Sequence, residues 1–200
     1  SLTMAGAMLG AVIGGERSTI SLFLFALWAL FYHMWGFLQN NLADVEYDRT
    51  DPSKQHFPLV DGSISVSRAW IIDWALFGLM FALGVYMVML NESYGALIFL
   101  VVSVIFGILY NVSSKETLLA PLFITMAFTS IPLFSFLAVS EEANLLIGLV
   151  SLFTVFLMLL QISVSGYLKD IGSDRVNLLK VMGSRLQGEW LYVSIKTKVY

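Results

Sequence analysis

Residues 19–52 read TISLFLFALWALFYHMWGFLQNNLADVEYDRTDP, and this stretch decides the fold class. Residues 19–39 contain no Asp, Glu, Lys or Arg. They are long enough to cross a bilayer as a helix, which takes about 20 residues. The chemistry then changes without a Gly/Ser-rich break. Asn40, Asp44 and Asp48 follow at four-residue spacing, and Asn41 precedes Asp44 by three. On a helix these side chains share one face, stacked turn by turn. Like charges at that spacing repel unless a cation sits among them. A row of oxygen donors suits Mg²⁺, which usually takes one or two carboxylates plus phosphate oxygens. The competing reading is a solvated acidic face. It is disfavoured because the carboxylates continue an apolar span.

The rest of the chain repeats the first half of that pattern. Of its 200 residues 58% are hydrophobic and 12% charged, against about half and a quarter in soluble domains. Apolar stretches occur at 2–15, 19–39, 70–90, 94–111, 118–139 and 145–165. Lipid demands that backbone polar groups be satisfied within the segment, so each reads as a helix. The alternation of a barrel strand is absent. The expected fold class is therefore all-α, a multi-pass transmembrane bundle of six helices, with residues 1–200 as a single domain. Gly10, Gly14, Gly84 and Gly107 are candidates for close helix contact. Pro121 and Pro132 are expected to bend the fifth span. The net charge of −3 offers no basic surface to a nucleic acid. With no cysteine, disulfides and thiolate metal sites are excluded.

Charge in the loops gives an orientation. The loops after spans one, three and five hold Glu16, Glu92, Glu141 and Glu142 and one basic residue, Arg17. The other ten of the eleven Lys and Arg lie in the second and fourth loops and after the sixth span. Lys and Arg concentrate on the cytoplasmic side, so those segments are expected in the cytoplasm, with the cell membrane as the location.

A second acidic pair sits on the same expected side. The sixth span ends in GYLKDIGSDR, so Asp170 and Asp174 repeat the four-residue spacing. Two carboxylate clusters facing each other could hold two Mg²⁺ ions across one diphosphate. Lys54, Lys115, Lys169 and Arg175 could neutralise remaining phosphate charge. For each of the four the plainer alternative is an ordinary positive-inside residue. His33 lies seven residues before Asn40, either lining a cavity or hydrogen-bonded within the bundle. Asp73 is expected at the membrane interface at the start of the third span, and Gln161 as an interhelical hydrogen-bonder.

These residues resemble the UbiA superfamily of intramembrane prenyltransferases. That family carries NDxxDxxxD after its second helix and DxxxD after its sixth. This chain has Asn40-Asn41-Leu42-Ala43-Asp44-Val45-Glu46-Tyr47-Asp48 and Asp170-Ile171-Gly172-Ser173-Asp174 at those points. The family stretch DxxxPSKxxRPLVSGxIS is similar to Asp51-Pro52-Ser53-Lys54 and Pro58-Leu59-Val60-Asp61-Gly62-Ser63-Ile64-Ser65 here. Tyr110 followed by Lys115 resembles the family's tyrosine and basic residue after the fourth helix.

The resemblance implies Mg²⁺-dependent transfer of a prenyl group from a polyprenyl diphosphate to an aromatic or lipid acceptor, among membrane lipids. It implies Asp44, Asp48, Asp170 and Asp174 as catalytic residues and, with Asn40, as metal ligands. Asn40, Asn41, Lys54, Tyr110, Lys115, Lys169 and Arg175 would bind the diphosphate. The chain departs from the pattern at Asn41, where the family has Asp, and at Phe57, where it has Arg. The family has about nine helices, whereas residues 176–200 read as a loop before a seventh, so the domain is expected to be incomplete at both ends. The alternatives are a multi-pass cation-binding transporter and a truncated, inactive homologue. The DGxxAR signature of CDP-alcohol phosphotransferases, another Mg²⁺-binding membrane family, is absent, since Asp61-Gly62 lacks the AR.

Overall fold

The computed structural model describes residues 1–114, 117, 119–140 and 142–161. Six helices account for most of them: α1 (Leu2–Ile13), α2 (Thr19–Asp48), α3 (Val66–Leu90), α4 (Ala96–Ser113), α5 (Ala120–Leu137) and α6 (Leu145–Leu160). No strand occurs among the described residues. Four helices, α2 to α5, are long and apolar enough to cross a membrane, while α1 and α6 are shorter apolar helices. The all-α, multi-pass expectation is met. Side-chain caps set several starts. Ser18 accepts from the Ser21 N–H, Ser65 from the Arg68 N–H and Asn144 from the Ile147 N–H, each satisfying an orphan donor of the first turn.

Helix α2 runs nine residues past the end of its apolar stretch. At about 1.5 Å per residue its 30 residues span about 45 Å, longer than the roughly 30 Å hydrocarbon core. A buried stripe explains the continuation. Trp28, Tyr32, Trp35, Leu42 and Val45 recur at helical spacing and are all buried, so one face stays amphipathic after the hydropathy falls. Polar Asn40, Asp44 and Asp48 are thereby carried out of the apolar layer on a packed helix.

The core lies where α2 meets α3, α4 and α5. Trp28 packs on Phe134 with ring centroids 4.4 Å apart, Tyr32 on Trp35 at 5.7 Å, and Trp35 on Phe77 at 5.5 Å. The Tyr32 hydroxyl donates to the Ser103 carbonyl at 3.0 Å, joining α2 to α4. Large apolar side chains such as Ile20, Phe23, Leu145 and Phe156 remain exposed; on a membrane-spanning bundle such faces meet lipid.

Close approach depends on small residues, as expected. A Cβ on Gly10 would overlap the Pro132 carbonyl oxygen of α5, and one on Gly14 would lie 2.9 Å from the Phe136 oxygen. Gly84 faces the Trp28 indole nitrogen at 3.0 Å and Gly107 the Tyr32 hydroxyl at 3.4 Å, measured the same way. The two prolines behave differently. Pro121 sits in the first turn of α5, where no helical hydrogen bond is lost, and Pro132 lies inside the helix against α1.

The connections sort to two ends. At one, Gly14 meets Phe136, and the Asn91 amide donates to the Ala138 carbonyl at 2.8 Å, gathering the first, third and fifth loops. Arg17 folds back there onto the Val12 carbonyl at 2.9 Å, a cation at a helix C-terminus. At the other end the buried Asn111 amide of α4 donates to the Gly36 carbonyl (3.2 Å) and Gln39 Oε1 (2.9 Å) of α2. That crosslink joins the end of α4 to α2 at Gly36 and Gln39, the latter about two and a half turns before the α2 terminus.

Candidate active site

Asp44 and Asp48 leave the apolar layer on the last two turns of α2. They are only 9% and 6% exposed. Burying two carboxylates one turn apart is costly unless they are paired or coordinate a metal. Asp48 has such a partner: Lys54 Nζ lies 2.7 Å from Asp48 Oδ1. The lysine arrives on a short 3₁₀ turn, Pro52–Lys54, whose geometry is set locally. Asp51 accepts from the Ser53 N–H at 2.9 Å and from its hydroxyl at 2.7 Å. The Gln55 amide donates to the carbonyls of Arg49 (2.9 Å) and Asp51 (3.1 Å). Arg49, next in sequence to Asp48, is turned outward onto the exposed Glu46 at 2.6 Å.

Asn40 is half-buried one turn above Asp44, on the same side of the helix, while Asn41 is exposed. Tyr110 precedes Asn111, whose amide bonds α2 at Gly36 and Gln39, so its backbone lies at the same end of the bundle. Lys115, Lys169, Asp170, Asp174 and Arg175 lie outside the described residues. The structure thus assembles Asn40, Asp44, Asp48 and Lys54. Among the described residues no cluster of three or more His, Asp or Glu forms. The donor chemistry of Asn40, Asp44 and Asp48, hard oxygens with two buried carboxylates, fits part of an Mg²⁺ site.

The loop beyond carries Phe57, 39% exposed, in edge contact with His56. Asp61 accepts from the Ser63 N–H at 2.8 Å, and the Ser63 backbone and side-chain hydrogen bonds hold its carboxyl below the usual carboxylate range.

Three polar side chains inside the bundle are placed by the structure, and His33 takes the hydrogen-bonded alternative expected for it. His33 Nδ1 shares a 3.1 Å hydrogen bond with Thr3 Oγ1 of α1, which makes it a bonded histidine within the bundle. Asp73, expected at the interface, is 1% exposed and interacts with the Trp35 side chain, while its Oδ1 has no hydrogen-bond partner among the described residues. It is buried because it shares with Ala69, Leu76 and Met80 the face of α3 that packs into the core, while its neighbours Ile72 and Trp74 are exposed. Asn111 is the third; its signal was a lone amide closing an apolar span.

Comparison with known proteins bears on the fold and the family. The apo structure of a UbiA homolog from Aeropyrum pernix K1 is similar with a TM-score of 0.69 at 20% identity, covering 99% of this chain and 75% of that one. At that identity the likeness speaks to the fold. Among curated proteins none matches this chain. The model of the UbiA prenyltransferase family matches residues 1–194, nearly the whole sequence, and the chain belongs to that family.

Proposed function

We propose that this protein transfers a prenyl group from a polyprenyl diphosphate to an aromatic or lipid acceptor within the membrane, with Mg²⁺ held at the end of α2. The observation that carries the reading is the buried pair Asp44 and Asp48, in a family of intramembrane prenyltransferases. The ion would supply positive charge to the leaving diphosphate. Asp44 and Asp48, with the Asn40 amide oxygen, would hold it from α2, and Asp170 and Asp174 from the segment after α6. Lys54, Lys115, Lys169 and Arg175, with Asn41 and Tyr110, would bind the diphosphate oxygens. The charge that develops as the allylic C–O bond breaks would be met by groups already in place. The prenyl chain would lie against the apolar helices while its head stays at the cytoplasmic rim. Residues 1–200 belong to one domain in this reading, its Asp motifs in the cytoplasm and its helices in the cell membrane.

A transporter would carry its acids near the bilayer midplane. Asp44 and Asp48 lie on the last two turns of α2, which does not favour that alternative. The test is transfer of labelled prenyl diphosphates to a panel of aromatic and glycerol-lipid acceptors in membranes carrying the protein. Asp44→Asn and Asp48→Asn should each lower transfer about a hundredfold or more. Transfer undiminished in both variants would refute the reading.

A further inference from the structure

We infer that Lys54 is a positioning residue for Asp48: it holds the carboxylate in the metal-free protein and passes to the diphosphate when the metal takes its place. The inference rests on the metal–diphosphate reading above and adds an exchange of partners to it. The Lys54–Asp48 contact is not a loose surface ion pair. The side chains retain only 15% and 8% of their exposure, and Nζ to Oδ1 is 2.7 Å. An ammonium on Oδ1 occupies the position that a second cation bound to that oxygen would need. Two cations that close repel, so a metal engages Asp48 fully only when Lys54 leaves.

The turn that presents Lys54 can survive its departure. Its hydrogen bonds run between Asp51, Ser53, Gln55 and Arg49, and the Lys54 N–H donates to the Asp51 carbonyl at 3.1 Å. None of these uses the lysine side chain. A point charge on a flexible four-carbon stem with three rotatable donors is suited to a change of partner. Asp48 therefore has a cation before and after loading, and Lys54 has an anion in both states. The consequence is ordered cooperation: metal alone competes with Lys54, whereas metal with diphosphate offers Lys54 a new anion.

The experiment uses the protein in nanodiscs and does not depend on turnover. Binding of Mn²⁺ alone is followed by loss of the free-ion paramagnetic resonance signal. Retention of radiolabelled inorganic pyrophosphate is followed at fixed Mn²⁺. Lys54→Gln should bind Mn²⁺ alone about tenfold more tightly and pyrophosphate about tenfold more weakly, the factor for one charge-assisted hydrogen bond. Lys54→Arg should return both values toward those of the natural sequence. Arg49→Gln, which removes the charge next in sequence to Asp48, turned outward and paired with Glu46, should shift Mn²⁺ binding less than about twofold. An unchanged Mn²⁺ affinity in Lys54→Gln, or an equal gain in Arg49→Gln, overturns the exchange while leaving the site intact. Failure of every form to bind Mn²⁺ and pyrophosphate overturns the proposed function and the exchange with it.

Discussion

Gly10→Ala should loosen the bundle far more than the same substitution one turn earlier. A methyl at residue 10 would overlap the Pro132 carbonyl oxygen and lie 2.9 Å from its carbonyl carbon and 3.0 Å from its Cα. These are backbone atoms of a helix whose Ile131 and Phe134 are fully buried, so α5 cannot yield and α1 must move. Overpacking of this kind costs about 1–3 kcal/mol. Moving α1 also stretches the Thr3–His33 hydrogen bond, worth about 1 kcal/mol. Helix propensity returns about 1 kcal/mol for replacing glycine, leaving a net loss of about 2 kcal/mol. At Gly6 a methyl would meet Pro132 Cδ at 3.8 Å and Ile131 Cγ2 at 4.0 Å, ordinary contact. Gly6→Ala should therefore stabilise by about 0.5–1 kcal/mol. The gap between the two variants is about 3 kcal/mol, or roughly 6–12 °C at 2–4 °C per kcal/mol. Thermal unfolding in detergent, followed by tryptophan fluorescence, measures it. Gly10→Ala melting at or above Gly6→Ala would show that α1 does not rest on the Pro132 backbone.

Other outcomes follow from the site and its supports. Asn111→Ala removes two hydrogen bonds joining α4 to α2 and should lower stability by about 1–2 kcal/mol in the same melts; an unchanged midpoint would mean the crosslink contributes nothing. Phe57→Arg should tighten pyrophosphate binding about fivefold or more by adding a guanidinium to the loop beside Lys54, measured by retention on nanodiscs; no change would place residue 57 away from the anion. The chain has no cysteine of its own, so single cysteines report sidedness cleanly. Ser53→Cys should react with an impermeant maleimide only from the cytoplasm, and Glu92→Cys, exposed where its neighbour Ser93 is buried, only from outside. Labelling of both from one side would overturn the topology.

Much of the fold is legible from hydropathy because lipid forces helices, and each apolar stretch became one. The boundaries that moved did so where polar residues lie on a packed helix. At α2 the buried pair Leu42 and Val45 continues the stripe of Trp28, Tyr32 and Trp35 beneath a polar sequence, which a count of apolar residues does not register. At α3 the cap by Ser65 starts the helix at Val66, and Asp73 falls on its buried face with Ala69, Leu76 and Met80. In the site, spacing alone identified the face shared by Asn40, Asp44 and Asp48. The partner of Asp48 was less visible. Lys54 stood out as a cation for phosphate, but its approach to Asp48 depends on a turn closed by Asp51 and Gln55, which spacing does not encode. The Thr3–His33 and Asn111–Gln39 bonds join residues 30 and 72 apart in sequence, and no local pattern announces either.

The central claim is that the two Asp motifs form one metal–diphosphate site, and linkage tests it most directly. Prenyl-diphosphate binding to the protein in nanodiscs is measured with Mg²⁺ and with excess chelator. The forms compared are the natural sequence, Asp48→Asn, Asp174→Asn and the double variant. Mg²⁺ should tighten binding by about a hundredfold, near the upper end for coupled sites. Each single substitution should abolish most of that gain, and the double should lose little more, as for groups acting as one unit. Equal binding in chelator, or effects of the two substitutions that simply add, would contradict a shared site.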